Sequence, residues 1–198
     1  MYVMASILKY GTYQQKKQYL PRISSGELRL QSFGITEPDS GTDTTNLKTT
    51  AKKLGNNYIL NGKKVWISRV EHSDLMVLLA RTKAKDDCNK KTDGLSVFII
   101  DLKKAVGNGL TIKPIDTMIN HHSCELFLDD LAVSSENLLG DENDGFKVVL
   151  DAMNAERILI ASECIGDARY FIKKATDYAS NRIVFNRPIG ANQGVSFP

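Results

Sequence analysis

The feature that most limits the fold is a change of period near Gly140. Residues 144–182 contain no proline, and their central part carries Val148, Val149, Leu150, Met153, Ile158, Leu159, Ile160, Ala161 and Ile165. A helix interior excludes proline, and a helix that is apolar on nearly every side belongs in a core, so this run predicts a long buried helix. Ahead of Gly140 the apolar runs are short. Residues 75–80 and 95–100 suit buried strands, 126–133 continues the pattern, and the loops between are rich in Asp, Asn, Lys and Gly. Tyr58-Ile59-Leu60 and Val65-Trp66-Ile67 flank Asn61-Gly62, which predicts a type I′ hairpin turn at that dipeptide. Helix formers over residues 2–19 predict helix closing before Leu20-Pro21, with Thr12 as an N-cap answered by Gln15. Gly26 supplies a turn before the first extended segment, and Pro188-Ile189-Gly190 marks another near the end. The sum is an α+β chain.

At 198 residues there is room for one good core and a second small domain. The net charge of +3 is mild and the lysines are scattered, which argues against nucleic-acid binding. Lys83, Lys85, Lys90 and Lys91 are broken up by Asp86, Asp87 and Asp93, the composition of a solvated loop. Cys88, Cys124 and Cys164 stand far apart and no histidine sits at ligand spacing, so neither a disulfide framework nor a metal is expected, and a reducing compartment fits. No apolar run is long enough to span a bilayer, and the N-terminal residues lack signal-peptide features.

Two segments carry the candidate chemistry. The first is Phe33-Gly34-Ile35-Thr36-Glu37-Pro38-Asp39-Ser40-Gly41-Thr42-Asp43, the second Lys64-Val65-Trp66-Ile67-Ser68. Pro38 fixes its own φ and keeps Glu37 out of helical space, while Gly41 permits unusual backbone. The expectation is a polar turn with backbone N–H groups and the Ser40 and Thr42 hydroxyls facing outward, able to hold a phosphate or a polar ring edge. The second segment sets an aromatic plane beside a small hydroxyl, two contacts an isoalloxazine ring needs. Taken alone, Thr36 reads equally as a turn cap, Trp66 as core, and Phe33 and Ile35 as strand residues packed inside.

Glu156 is a third candidate. At helical spacing its neighbours are Ala152, Met153, Leu159 and Ile160, an apolar surround of the kind that raises a carboxyl's pKa and strengthens it as a base. The competing reading is a partner for a nearby arginine. His121 and His122 precede a strand without a ligand set or nucleophile, which fits a structural place or the edge of a substrate entrance better than catalysis.

The ordered pair Thr-Glu-Pro-x-x-Gly-Thr-Asp and Trp-Ile-Ser resembles the flavin-binding signature of the acyl-CoA dehydrogenase family. The resemblance extends along the chain. Residues 11–21 resemble the last helix of the family's N-terminal helical domain. Asp130-Leu131-Ala132-Val133 with Asn137-Leu138-Leu139-Gly140 resembles the way out of its β domain, with Ser134 where a proline is usual. Ala155-Glu156-Arg157-Ile158 and Arg182-x-x-Phe185-x-x-Pro188-Ile189-Gly190-x-x-Gln193 resemble its C-terminal opening helices.

The resemblance implies a central antiparallel β-barrel or sandwich flanked by helical segments. Residues 1–30 would end an N-terminal helical domain, 31–140 form the middle β domain, and 141–198 begin a truncated C-terminal helical domain. It further implies FAD held by Phe33, Ile35, Thr36, Thr42, Trp66 and Ser68, with Arg182, Phe185 and Gln193 reaching a neighbouring subunit's FAD. Thr42 and Arg157 would touch an acyl-CoA substrate, and Glu156 would be the catalytic base, although in other members that base lies further along. The implied reaction is α,β-dehydrogenation of an acyl-CoA to a trans-2-enoyl-CoA, with electrons passed to an electron-transferring flavoprotein by a homodimer or homotetramer in the mitochondrial matrix or bacterial cytoplasm. Alternatives are an acyl-CoA oxidase and an inactive truncated product. Alone, the chain is expected to bind FAD weakly or not at all.

Overall fold

The computed structural model describes residues 2–118 and 122–197. These divide into two compact units, Met1–Met153 and Asn154–Pro198.

The first unit opens with two helices, α1 (Tyr2–Tyr10) and α2 (Tyr13–Ser24). They are separate because Gly11 interrupts the run and Thr12 starts a new helix with a capping box. The Thr12 hydroxyl accepts from Gln15 N at 3.2 Å, and the Gln15 side chain accepts from Thr12 N at 2.9 Å. The Gln15 amide then donates to the carbonyls of Glu136 and Leu138, both at 2.8 Å, tying α2 to the end of the sheet region. The expected stop before Pro21 does not occur. Pro21 lies inside α2, one turn from its end at Ser24, where a missing N–H costs a single backbone bond. Gly26, at φ +80°, makes the turn that follows.

Eight strands form one sheet: β1 (Leu30–Gly34), β2 (Thr50–Leu54), β3 (Asn57–Ser68), β4 (Leu75–Arg81), β5 (Leu95–Asp101), β6 (Leu110–Pro114), β7 (Ser123–Ser134) and β8 (Leu138–Leu139), with a short helix α3 (Leu102–Ala105) after β5. The order is β6-β7-β3-β2-β4-β5-β8, and β1 pairs with β4. Pairing is antiparallel except where β1 and β2 meet β4. The apolar runs predicted as strands are β4 and β5, in register from Leu75↔Asp101 to Arg81↔Leu95. Their two faces serve two cores. Met76, Leu78, Ala80, Phe98 and Ile100 pack with Tyr58, Leu60, Leu126 and Leu128 of β3 and β7, while Leu75, Val77, Leu79, Val97 and Ile99 pack with Val3, Ile7 and Tyr19 of the N-terminal helices. This sandwich-like doubling explains why both strands are continuously apolar.

The predicted hairpin turn at Asn61-Gly62 is corrected. β3 runs through both residues, and the turn between β2 and β3 is Gly55-Asn56, with Gly55 at φ +59°. Asn61 and Gly62 instead form a bulge, where the β3–β7 register slips between Leu60 and Gly62. The Asn61 amide exchanges two hydrogen bonds with Asp130, at 2.8 and 2.9 Å. A Cβ on Gly62 would lie 2.7 Å from Thr49 Cα, so the dipeptide serves close backbone approach rather than a turn.

Helix α4 (Gly145–Asn181) starts in this unit. Gly145 abuts the Ser96 backbone, Val148, Val149 and Ala152 are buried, and Asp151 accepts from Lys9 at 2.5 Å and from the Tyr10 hydroxyl.

The second unit holds the remainder of α4, the strands β9 (Ile183–Val184) and β10 (Arg187–Pro188), and α5 (Gln193–Ser196). Here the buried-helix expectation is corrected: Ile158 is 70% exposed, Ile160 51% and Ile165 59%. An all-round apolar sequence marks surface that favours cover. Beside the 3-10 turn Ile189–Ala191, near the predicted place, a tighter turn joins β9 to β10. Its central residues Phe185 and Asn186 have φ 50° and 60°, the left-handed pair of a type I′ turn. Among the described residues no helix is long and apolar enough to cross a membrane.

Candidate functional site

The two motif segments meet in the first unit. Backbone N–H of Val65 donates to the Thr36 carbonyl at 2.9 Å. Next to it, Lys64 Nζ donates to the Ile35 carbonyl at 3.0 Å and to Glu37 Oε1 at 2.8 Å. Residues 35, 36 and 37 are therefore held by residues 64 and 65. The Glu37 carboxylate also accepts from Lys48 N at 2.6 Å and Thr49 N at 3.0 Å.

This ion pair is deeply buried, the Lys64 side chain 0% and the Glu37 side chain 4% exposed. Burial by itself would raise the Glu37 carboxyl. The Lys64 charge and the hydrogen bonds from Lys64, Thr49 and Lys48 outweigh it and hold the group below the ordinary glutamate value. Burial pushes the Lys64 ammonium down to about 8, against the opposing pull of Glu37. Sequence reasoning missed this pair. The available signal was one acidic and one basic residue in the two halves of a paired motif, but strand periodicity does not distinguish a buried lysine from a solvated one.

Beyond Lys64 the strand departs from simple alternation. Val65 and Ile67 are buried, Trp66 and Ser68 are exposed, and the β3–β7 register slips again between Lys64 and Ile67. Trp66 has φ 60°, a left-handed conformation that costs a bulky side chain on the order of 1–3 kcal/mol. Such strain persists only where the surroundings impose it. Trp66, the only tryptophan in the chain, is 58% exposed, so it is not the core residue that composition alone allows. The Ser68 carbonyl lies 3.4 Å from the buried Ser32 hydroxyl, which also reaches the Ser73 hydroxyl at 2.9 Å, and this fixes the strand end against β1.

On the first segment, Phe33 and Ile35 are half-buried against the core shared with the N-terminal helices, Thr36 is half-buried, and Thr42 is exposed. The Ser40 expectation is corrected. Its side chain is buried and donates inward to the Asp43 carbonyl at 2.6 Å, because Glu37 and Ser40 close a turn around Pro38 by exchanging backbone bonds at 3.0 and 3.2 Å. Gly41 has no positive φ and open space around it, so the turn does not use its conformational freedom.

In the second unit Glu156 is half-buried on α4. Arg157 is exposed and donates to Asn154 Oδ1 at 2.7 Å. The β9–β10 turn brings Ile189 back to Arg182, whose carbonyl accepts from Ile189 N at 2.9 Å, and Phe185 lies in that turn. Arg182, Phe185 and Gln193 are all exposed, Phe185 to 94%. His122 stacks edge-to-face on His72 at 4.8 Å, while His121 lies outside the described residues.

Residues 32–131 match the family described as acyl-CoA dehydrogenase, middle domain, and residues 143–198 match acyl-CoA dehydrogenase, C-terminal domain. The chain is 37% identical over 194 residues to an acyl-CoA dehydrogenase of Bacillus subtilis, covering 96% of this chain and 49% of that protein. It is 36% identical over 187 residues to a glutaryl-CoA dehydrogenase of Desulfococcus multivorans, covering 93% of this chain and 46% of the other. Among solved structures, an acyl-CoA dehydrogenase from Geobacillus kaustophilus superimposes with a TM-score of 0.90 at 31% identity, over 98% of this chain and 50% of that one. The butyryl-CoA dehydrogenase of Megasphaera elsdenii gives 0.85 at 32%, over 98% and 49%. The chain spans about half the length of the relatives it matches. On these matches it belongs to the acyl-CoA dehydrogenase family.

Proposed function

We propose that this chain carries the flavin-facing wall and the base of an FAD-dependent acyl-CoA dehydrogenase. The observation that carries the reading is the strained, exposed Trp66 beside the exposed Ser68, stitched through Val65 and Lys64 to Thr36. An aromatic face open to solvent, a free-standing hydroxyl two residues on, and a half-buried threonine alongside fit the face and the polar edge of an isoalloxazine ring. A flavin held there would supply a hydride acceptor for the substrate β carbon. Trp66 would lie against the ring, Ser68 would donate a hydrogen bond to it, and Thr36 would hold its polar edge. Phe33 and Ile35 would back the ring, and Thr42 would serve the CoA end.

The proton-accepting role goes to Glu156, matched to the family by its Glu-Arg pair, with Arg157 toward the substrate. Arg182, Phe185 and Gln193 serve the dinucleotide of a neighbouring copy, since an arginine fork suits a pyrophosphate and all three are exposed. Residues 1–30, 31–140 and 141–198 correspond to the three domain portions expected above. The electron acceptor is an electron-transferring flavoprotein, and the working form is a homo-oligomer. A second reading, oxidation by oxygen, draws support from the prolyl acyl carrier protein oxidase AnaB, which superimposes with a TM-score of 0.89 at 32% identity. Reoxidation of the reduced enzyme by air rather than by an electron-carrying flavoprotein would favour it.

Because Trp66 is the sole tryptophan, its indole N–H gives one resonance in an amide correlation spectrum. FAD titrated into the 198-residue chain to about 1 mM, where ~4 kcal/mol of binding still registers, is expected to shift that resonance together with the amides of Thr36 and Ser68. FAD-induced shifts at other residues of the chain with the indole unmoved reject the flavin reading.

A further inference from the structure

We propose that the buried Glu37–Lys64 ion pair is a positioning device, which holds Thr36 and the strained Trp66 in the arrangement that receives the ring. The inference rests on the flavin reading for what the wall receives, but its structural half stands without it.

Removing both charges from water is expensive, and apolar residues of similar volume commonly replace such a pair with no loss of stability. Packing alone therefore does not account for an ion pair at this site. What an apolar pair could not reproduce is the set of bonds. Lys64 Nζ reaches the Ile35 carbonyl and the Glu37 carboxylate on either side of Thr36, while Val65 N takes the Thr36 carbonyl. Glu37 in turn holds the amides of Lys48 and Thr49, so the loop is tied at both ends.

The pair also bears on Trp66. In a regular strand, residues 64 and 66 would share a face, and a Lys64 turned inward would take Trp66 inward with it. The register slip after Lys64 and the left-handed φ of Trp66 turn the indole outward. Anchoring Lys64 from two sides supplies the constraint that a strained neighbour requires.

The test compares the full chain with the double variant Glu37→Gln/Lys64→Met, which leaves neither charge unpaired. The expected result is a cooperative fold with a denaturation midpoint near that of the native chain. The near-ultraviolet circular dichroism of Trp66 falls by roughly half or more as the indole gains freedom, and FAD affinity drops by about tenfold as preorganisation is lost. A double variant with native Trp66 dichroism and native FAD affinity overturns the proposal. Should it fail to fold, Glu37→Gln alone keeps the shape and lets Lys64 shed its proton; a native Trp66 signal in that variant overturns the proposal equally. If FAD shifts other residues of the native chain but leaves Trp66 unmoved, while the double variant loses the Trp66 signal, the positioning stands and the flavin reading falls.

Discussion

Replacing Lys64 alone with methionine is expected to cost about 3–5 kcal/mol of stability, because it strips the partner from a carboxylate that stays buried. At roughly 2–4 °C per kcal/mol for a domain of this size, Tm falls by about 10 °C. Glu37 would retain the amides of Lys48 and Thr49 but lose the ammonium bonded to it, and the Ile35 carbonyl would lose its donor. The same pair sets an acid limit. Since the folded Glu37 carboxyl is held below the usual 4.5, its contribution is present above that value and is lost as pH falls through the folded value. Thermal unfolding of Lys64→Met at pH 7, beside the double variant of Glu37 and Lys64, checks the argument. A single variant as stable as the native chain would mean that the carboxylate finds water or another cation.

The second large effect concerns Glu156. In a chain extended to the length of its relatives, Glu156→Gln should retain FAD while flavin reduction by acyl-CoA slows by ~10²–10⁴-fold, the usual contribution of a positioned base. Glutamine keeps the shape and removes only the capacity to take a proton. Rapid-mixing absorbance of the oxidised flavin band measures this directly. Unchanged reduction kinetics would move the base to another residue of the extended chain.

Much of this architecture was legible in the residues, for identifiable reasons. β4 and β5 are buried on both faces, so unbroken apolar runs announced them. Thr12 and Gln15 act over three residues, and local capping chemistry needs no tertiary context. Asn61-Gly62 misled because the same dipeptide suits a type I′ turn or a bulge. The choice was made by Asp130 and Thr49, residues distant in sequence. Ser40 turned inward because the Pro38 turn closed on itself.

The apolar stretch of α4 stated a preference for cover, not where the cover comes from. At the site, the pairing of the two motifs was visible, but what joins them was not. Lys64 and Glu37 are 27 residues apart, and nothing in strand periodicity marks a lysine that will be buried or a tryptophan that will adopt φ 60°.

The central claim is that the wall formed by Thr36, Trp66 and Ser68 receives a flavin ring. Nuclear Overhauser effects between the ring methyl protons of FAD and the Trp66 indole protons test it most directly, the indole being unique in the chain. The account predicts contacts from the indole to the isoalloxazine methyl groups, weakened in the Glu37→Gln/Lys64→Met variant. Contacts from the isoalloxazine methyl groups to other residues, with Trp66 touching the adenine alone or nothing, would contradict it.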